Sequence, residues 1–233
     1  MLSGKMAMRF GWIALLVVAV VLVAWKGMKV TQVNAQAKAP VPAVDQTKAT
    51  SSGHETAVFA GGCFWGTQSV FQRVKGVKST MAGYAGGSAA TATYDQVTTE
   101  TTGHAESVKV VYDPSKLTYG QLLRIFFSVH DPTQLNRQGP DVGTSYRSAI
   151  FYTNDEQKKI ATAYVAQMEA AHIFSKPIVT QVVPLKGFYD AESYHQDYAT
   201  NNPNNPYIMV CDRPKIETLK RDFPELFQKY KGE

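Results

Sequence analysis

The chain has 233 residues, 44% of them hydrophobic and 18% charged, and a formal net charge of +5. That composition is globular, and the length allows one ordinary domain with appendages. The basic residues are scattered, with no stripe of interleaved aromatics, so no nucleic-acid partner is expected. The only two cysteines, Cys63 and Cys211, cannot build a four-cysteine metal centre, and the histidines are too widely spaced for a zinc signature.

The first feature in chain order is an almost unbroken apolar run, Phe10 to Trp25, flanked by Lys5, Arg9, Lys26 and Lys29. Residues 1–30 read as a signal anchor or signal peptide. The run is slightly shorter than the about 20 residues of a spanning helix. Trp12 and Trp25 near its ends suit the two membrane interfaces, which favours an uncleaved anchor. Ala35-Gln36-Ala37 resembles a cleavage site but lies well beyond the apolar core, so secretion after cleavage is the alternative. Basic flanks are nearly balanced and do not decide orientation. The usual behaviour of such segments places the following domain outside the cytoplasm, exported and held at the membrane by this N-terminal helix. Residues 31–54, rich in Ala, Pro, Ser, Thr and Gln, read as a flexible linker, and a compact domain spans 55–233.

Within that domain, Thr56 to Ala60 reads as a buried strand and Cys63 to Arg73 as a helix with Phe64, Gln68, Phe71 and Val74 at helical spacing. A strand over Val77–Tyr84 ends in glycines, and a loop follows to about Gly103. Glu106–Tyr112 alternates as a strand and stops at Asp113-Pro114. Thr118 caps a helix over Tyr119–Val129, Ser148–Tyr152 is a short strand, and Asn154 caps a helix over Glu156–Ala171. Ile178–Val183 reads as a last strand. Beyond it the chain looks irregular, up to a short helix over Lys215–Arg221. The order β-α-β-β-α-β predicts an α+β fold: a two-layer, ferredoxin-like (split βαβ) sandwich with a mixed sheet and an irregular C-terminal extension.

The most informative segment is Gly61-Gly62-Cys63-Phe64-Trp65-Gly66. It sets a cysteine on a glycine turn between a strand and a helix, where the positive helix end favours thiolate over thiol. The neighbouring aromatics offer an apolar wall to a small substrate. Glu106 shares a strand face with Val108, Val110 and Tyr112, which points it toward the core and predicts a raised pKa suited to a general acid. The competing reading leaves it half solvated at the strand end. The loop from Gly139 to Ser148 carries Asp141, Tyr146 and Arg147 into a strand, as functional loops often do. Tyr94 and Tyr146 each offer a hydroxyl donor.

Taken together, Gly62-Cys63-Phe64-Trp65-Gly66, Gly83-Tyr84-Ala85-Gly86-Gly87, Gly103-His104-Ala105-Glu106, Tyr112-Asp113-Pro114, Asp141 through Ser148 and Tyr194-His195-Gln196 resemble the A type of peptide methionine sulfoxide reductase, over about residues 55 to 210. The resemblance implies that Cys63 attacks the sulfoxide sulfur and Glu106 protonates its oxygen. It implies that Tyr94 and Tyr146 hydrogen-bond that oxygen, that Phe64 and Trp65 hold the methyl group, and that Asp141 helps to order the site. It also implies the S epimer as substrate, protein-bound or free, and a cysteine sulfenic acid intermediate. Repair of oxidised proteins would need no bound cofactor, only a thioredoxin-like dithiol protein as reductant, and a monomer would suffice. The stretch Thr98-Thr99-Glu100-Thr101-Thr102 lacks the cysteine that many members carry, and the glycine-rich tail with resolving cysteines is missing. Cys211 is the candidate resolving thiol, a packed cysteine being the alternative.

Two other chemistries compete. An acyl-transfer enzyme would pair Cys63 with His104 or His195. A non-catalytic module would join Cys63 and Cys211 in a structural disulfide.

Overall fold

The computed structural model describes residues 39–231. The apolar run at 10–25, and with it the expected membrane segment, lies outside the described residues. Among those described, no helix is long and apolar enough to cross a membrane.

A six-stranded mixed sheet organises the fold. Its strands are β1 (Glu55–Gly61), β2 (Val77–Ala85), β3 (Ala105–Tyr112), β6 (Ser148–Tyr152), β7 (Gln181–Pro184) and β8 (Phe188–Asp190), in the order β7-β6-β1-β3-β2-β8. Only β6 and β7 pair in parallel. A separate two-stranded ribbon joins β4 (Arg137–Gln138) to β5 (Asp141–Val142). Helix α1 (Phe64–Gln72) connects β1 to β2, and α3 (Tyr119–Val129) lies on the path from β3 to β6. Each connection spans one intervening strand, β3 in the first and β1 in the second, which is the split βαβ connectivity.

Sequence explains the main elements. Phe59 of β1 stacks on Phe71 of α1 and Phe126 of α3, with ring centroids 5.3 and 5.0 Å apart. Each of these rings is fully buried, a gain of about 1.5–3 kcal/mol apiece, and together they hold both helices on one sheet face. Helix α3 starts where Thr118 and Gln121 close a reciprocal capping box. Helix α4 (Asp155–Ala170) starts where the Asn154 side chain accepts from the Gln157 N–H.

Three expectations change. Part of the segment read as a flexible linker, residues 39–54, is docked instead. Ala39 is buried, Arg124 Nε donates to its carbonyl at 2.8 Å, and Tyr164 Oη donates to Pro40 O at 2.7 Å. Asp45 reaches the start of α3, accepting from Gly120 N at 2.8 Å and Thr118 Oγ1 at 2.5 Å. Composition signalled solvation, but the segment's carbonyls and one carboxylate find helix partners. The stretch expected to be irregular before the last helix carries β8, α5 (Tyr198–Asn201) and a π-helical turn (Ile208–Asp212), and the expected helix over Lys215–Arg221 is present as α6 (Arg213–Asp222). The last expected strand begins at Gln181 rather than Ile178, because pairing with β6 starts there.

Candidate active site

β1 ends at Gly61, and the chain turns through Gly62 at φ +89°. A Cβ at Gly62 would lie 2.5 Å from Gln138 Cβ, so the turn tolerates no side chain. Cys63 follows as the N-cap of α1, with non-helical dihedrals (φ −51°, ψ 126°). Its side chain is 7% exposed.

Glu106 is the second residue of β3, opposite Tyr84 of β2. The Phe64 N–H donates to its Oε2 at 3.0 Å. That bond fixes the sheet carboxyl to the first residue of α1, at the turn that carries Cys63. Glu106 is 3% exposed. Burial raises its pKa, the Phe64 bond opposes that, and Asp141 adds to it; the result is about 8 against an ordinary 4.5. The carboxyl therefore holds its proton at neutral pH, as the strand-face pattern predicts.

The thiol differs from its expectation. Burial first, then the charges of Glu106 and Asp212, push the Cys63 pKa well above its ordinary value. The Trp65 N–H and Lys215 act the other way. The helix end alone predicts a thiolate, but desolvation outweighs it, helped by Asp212 and, once it ionises, by Glu106.

The tyrosines are set by neighbouring carboxylates. Tyr94 opens the short α2 (Tyr94–Val97), and its N–H donates to Glu192 Oε1 at 2.8 Å. Tyr146 ends a 3-10 turn (Thr144–Tyr146) clasped by Glu100, which accepts from Ser145 N at 2.8 Å, Ser145 Oγ at 2.6 Å and Thr144 Oγ1 at 2.9 Å. Burial raises the Glu100 pKa, but these bonds prevail and leave it lowered, so the clasp is anionic. Burial, then Glu106 and Cys63, raise the pKa of both Tyr94 and Tyr146, so each keeps its hydroxyl hydrogen to donate. The Trp65 indole N–H donates to His195 Nδ1 at 3.1 Å, and the indole stacks on Tyr198 at 3.9 Å. Tyr207 Oη donates to Asp141.

Cys63, Phe64, Trp65, Tyr94, Glu106, Asp141 and Tyr146 line one cavity of about 200 Å³, together with His195 and Tyr207. The sequence does not mark Tyr207 as a wall residue, and it offers His195 as a partner for the sulfur and as part of the Tyr194-His195-Gln196 motif without a place in the wall. The aromatic after Pro206 and the Tyr194-His195-Gln196 motif were the available signals. Glu100 and Glu192, which seat the two tyrosines, carry no local signal because their partners are distant in sequence. Cys211 is not among the lining residues; it sits partly exposed in the π-helical turn.

Both cysteines are free, so the structural disulfide is not formed. Neither of the two candidate histidines is hydrogen-bonded to the Cys63 sulfur. His104 Nδ1 accepts from Gly87 N and its Nε2 meets Ser88 O, while His195 Nδ1 is engaged by Trp65. The base that acyl transfer requires is therefore missing from the sulfur. Among the described residues, no group of three or more His, Cys, Asp or Glu side chains could hold a metal ion.

A proton-holding acid beside a buried thiol suits reduction of a polarised bond, and fold and site together define a thiol oxidoreductase. The family model for peptide methionine sulfoxide reductase matches residues 55–226. Peptide methionine sulfoxide reductase MsrA 2 of Mesorhizobium japonicum is 58% identical over 176 residues, 75% of this chain and 90% of that protein. The MsrA 2 of a Synechocystis strain is 50% identical over 80% of this chain and 87% of its own length. Among solved structures, reduced Mxr1 of Saccharomyces cerevisiae superposes with a TM-score of 0.62 at 32% identity, covering 72% of this chain and 94% of Mxr1. Methionine sulfoxide reductase A of Corynebacterium diphtheriae gives 0.58 at 35%, covering 71% and 86%. The chain belongs to the peptide methionine sulfoxide reductase A family, oxidoreductases that reduce methionine sulfoxide and so repair oxidised proteins.

Proposed function

We propose that this enzyme reduces the S epimer of methionine sulfoxide, free or in proteins, through a sulfenic acid on Cys63. The single observation that carries the reading is the shared cavity: thiol, protonated carboxyl, two hydroxyl donors and an aromatic wall face one volume. A sulfoxide is a poor electrophile until its oxygen is protonated or strongly hydrogen-bonded. Glu106 supplies the proton, and Tyr94 and Tyr146 donate to the same oxygen. Cys63 attacks sulfur, and the oxygen then passes to Cys63 as both the new sulfur–sulfur bond and the sulfur–oxygen bond of the sulfoxide break. The proton lost by the thiol replaces the one Glu106 gives up, so thiol plus sulfoxide yields sulfenic acid plus thioether. Phe64 and Trp65 take the methyl group, and Asp141, bonded to Tyr207, orders the opposite wall. Fixing the oxygen, the methyl group and the direction from which Cys63 reaches the pyramidal sulfur selects one epimer, and family membership supports S.

The sulfenic acid then condenses with a thiol, losing water. Cys211 or a thioredoxin-like dithiol protein supplies that thiol, and the dithiol completes reduction. We also propose that the N-terminal apolar segment exports the enzyme and anchors it as a monomer outside the cytoplasm, secretion after cleavage being the alternative. The test uses dithiothreitol-driven reduction of resolved R and S sulfoxide substrates. Wild type should consume only S, and Cys63→Ser should consume neither; turnover by Cys63→Ser, or equal use of both epimers, overturns the reading. Mass spectrometry of Cys63 and Cys211 after one turnover without reductant distinguishes a sulfenic acid from a disulfide.

A further inference from the structure

A buried ion pair lies behind the nucleophile, outside the cavity wall. Lys215 Nζ donates to Asp212 Oδ1 at 3.0 Å, with side chains 14% and 0% exposed. Asp212 Oδ2 has no hydrogen-bond partner among the described residues. Such a pair is a poor stabiliser, because desolvation offsets the attraction and one oxygen is left unsatisfied. Its position suggests another use.

The pair packs on Gly66, in the first turn of α1. A Cβ at Gly66 would sit 2.0 Å from Asp212 Oδ1 and 2.7 Å from Lys215 Nζ. Gly66 lies three residues after Cys63, on the same side of the helix start. Lys215 lies four residues after Cys211, where the π-helical turn runs directly into α6. The ammonium thus lies against the first turn of α1, three residues past Cys63, on a helix that continues the turn carrying Cys211, and the missing side chain at Gly66 is what admits it. Its charge acts on both sulfurs, against the opposing charge of Asp212.

We propose that Lys215, held by Asp212 against Gly66, is a positioning residue that supplies one shared positive charge to the Cys63 and Cys211 sulfurs during thiol chemistry. This rests on the reading of Cys63 as nucleophile. Glu106 from β3, Asp212 and the Trp65 N–H also act on the Cys63 sulfur, while Asp212 and Asp141 act on Cys211. Among the described residues, Lys215 is the cation whose charge acts on both sulfurs. It favours the thiolate each time a sulfur must act: Cys63 on the sulfoxide, and Cys211 if it condenses with the sulfenic acid.

The test measures iodoacetamide alkylation of Cys63 and of Cys211 against pH, resolved by peptide mass spectrometry, alongside sulfoxide turnover. Lys215→Met should slow alkylation of both cysteines about tenfold below their titration midpoints and move both midpoints upward. Lys215→Arg, which keeps the charge, should hold both midpoints nearer to wild type than Lys215→Met does. If Lys215→Met fails to fold, the same comparison is made between Asp212→Asn and Asp212→Asn/Lys215→Met, where no lone buried carboxylate remains. Unchanged midpoints at both cysteines in a folded protein lacking the ammonium overturn the proposal, as does a rise at only one of them. Failure of the nucleophile reading shows separately, as sulfoxide turnover by Cys63→Ser.

Discussion

Replacing Glu106 by Gln tests the central electrostatic claim without relying on turnover. The folded carboxyl titrates at about 8 against an ordinary 4.5, because the cavity floor removes water from it. A raised folded pKa means the native state binds more protons than the unfolded chain between those two values. Stability from this group is therefore complete below about 4.5 and falls as pH rises toward 8. Between pH 5.5 and 8.0 the loss works out at about 3 kcal/mol by proton linkage. Gln keeps an oxygen for the Phe64 N–H and a similar shape but has no proton to lose. Urea unfolding at a series of pH values should show that loss in wild type and not in Glu106→Gln. Histidines and other titrating groups are common to both proteins and cancel in the difference. The upper limit at pH 8 keeps the window below the range where the raised Cys63 thiol contributes. Parallel pH profiles for the two proteins would refute the buried, protonated acid. The same substitution should slow turnover roughly 10²- to 10⁴-fold, the range for a lost general acid.

Tyr94→Phe and Tyr146→Phe should each lower kcat about tenfold with KM nearly constant, since each removes one donor to the sulfoxide oxygen, and steady-state kinetics with a free sulfoxide substrate decides it. If KM rises while kcat holds, the hydroxyls bind substrate rather than assist its reduction. Asp45→Ala should lower stability by about 1 kcal/mol, the typical worth of a helix N-terminal partner, without changing kcat. Thermal unfolding reads this directly, and an unmoved midpoint would show the docked segment to be dispensable.

How far the sequence reads into the structure depends on whether a signal is local. Helix α3 has the bounds that Thr118 and its apolar stripe predict, and β6 those that Ser148–Tyr152 predicts. The strand-face argument for Glu106 needs only alternation, and its direction agrees with the raised pKa. Local reasoning fails where distant parts meet. The Cys63 thiol was expected to ionise readily from its helix end, yet Glu106 and Asp212 arrive from 43 and 149 residues later in the chain and add to burial. β8 has three residues and exists because the β2 edge is there to pair with it. The loop after β2 hides the helical turn of Tyr94, whose backbone is held by Glu192, a residue with no reason to stand out until the fold closes. Residues 39–54 carry a disorder-like composition, and their polar groups find partners only once the fold brings α3, α4, the ends of β1 and β3 and the Asp113-Pro114 turn against them.

The cavity of about 200 Å³ falls below the roughly 300–1,000 Å³ of clefts that swallow whole ligands. It has room for the tip of one side chain and none for the chain that bears it. An oxidised residue must protrude to be mended, so lesions sealed within a folded client escape notice until that client loosens. Damage is thus sorted by accessibility before any chemistry begins, and the enzyme surveys exteriors.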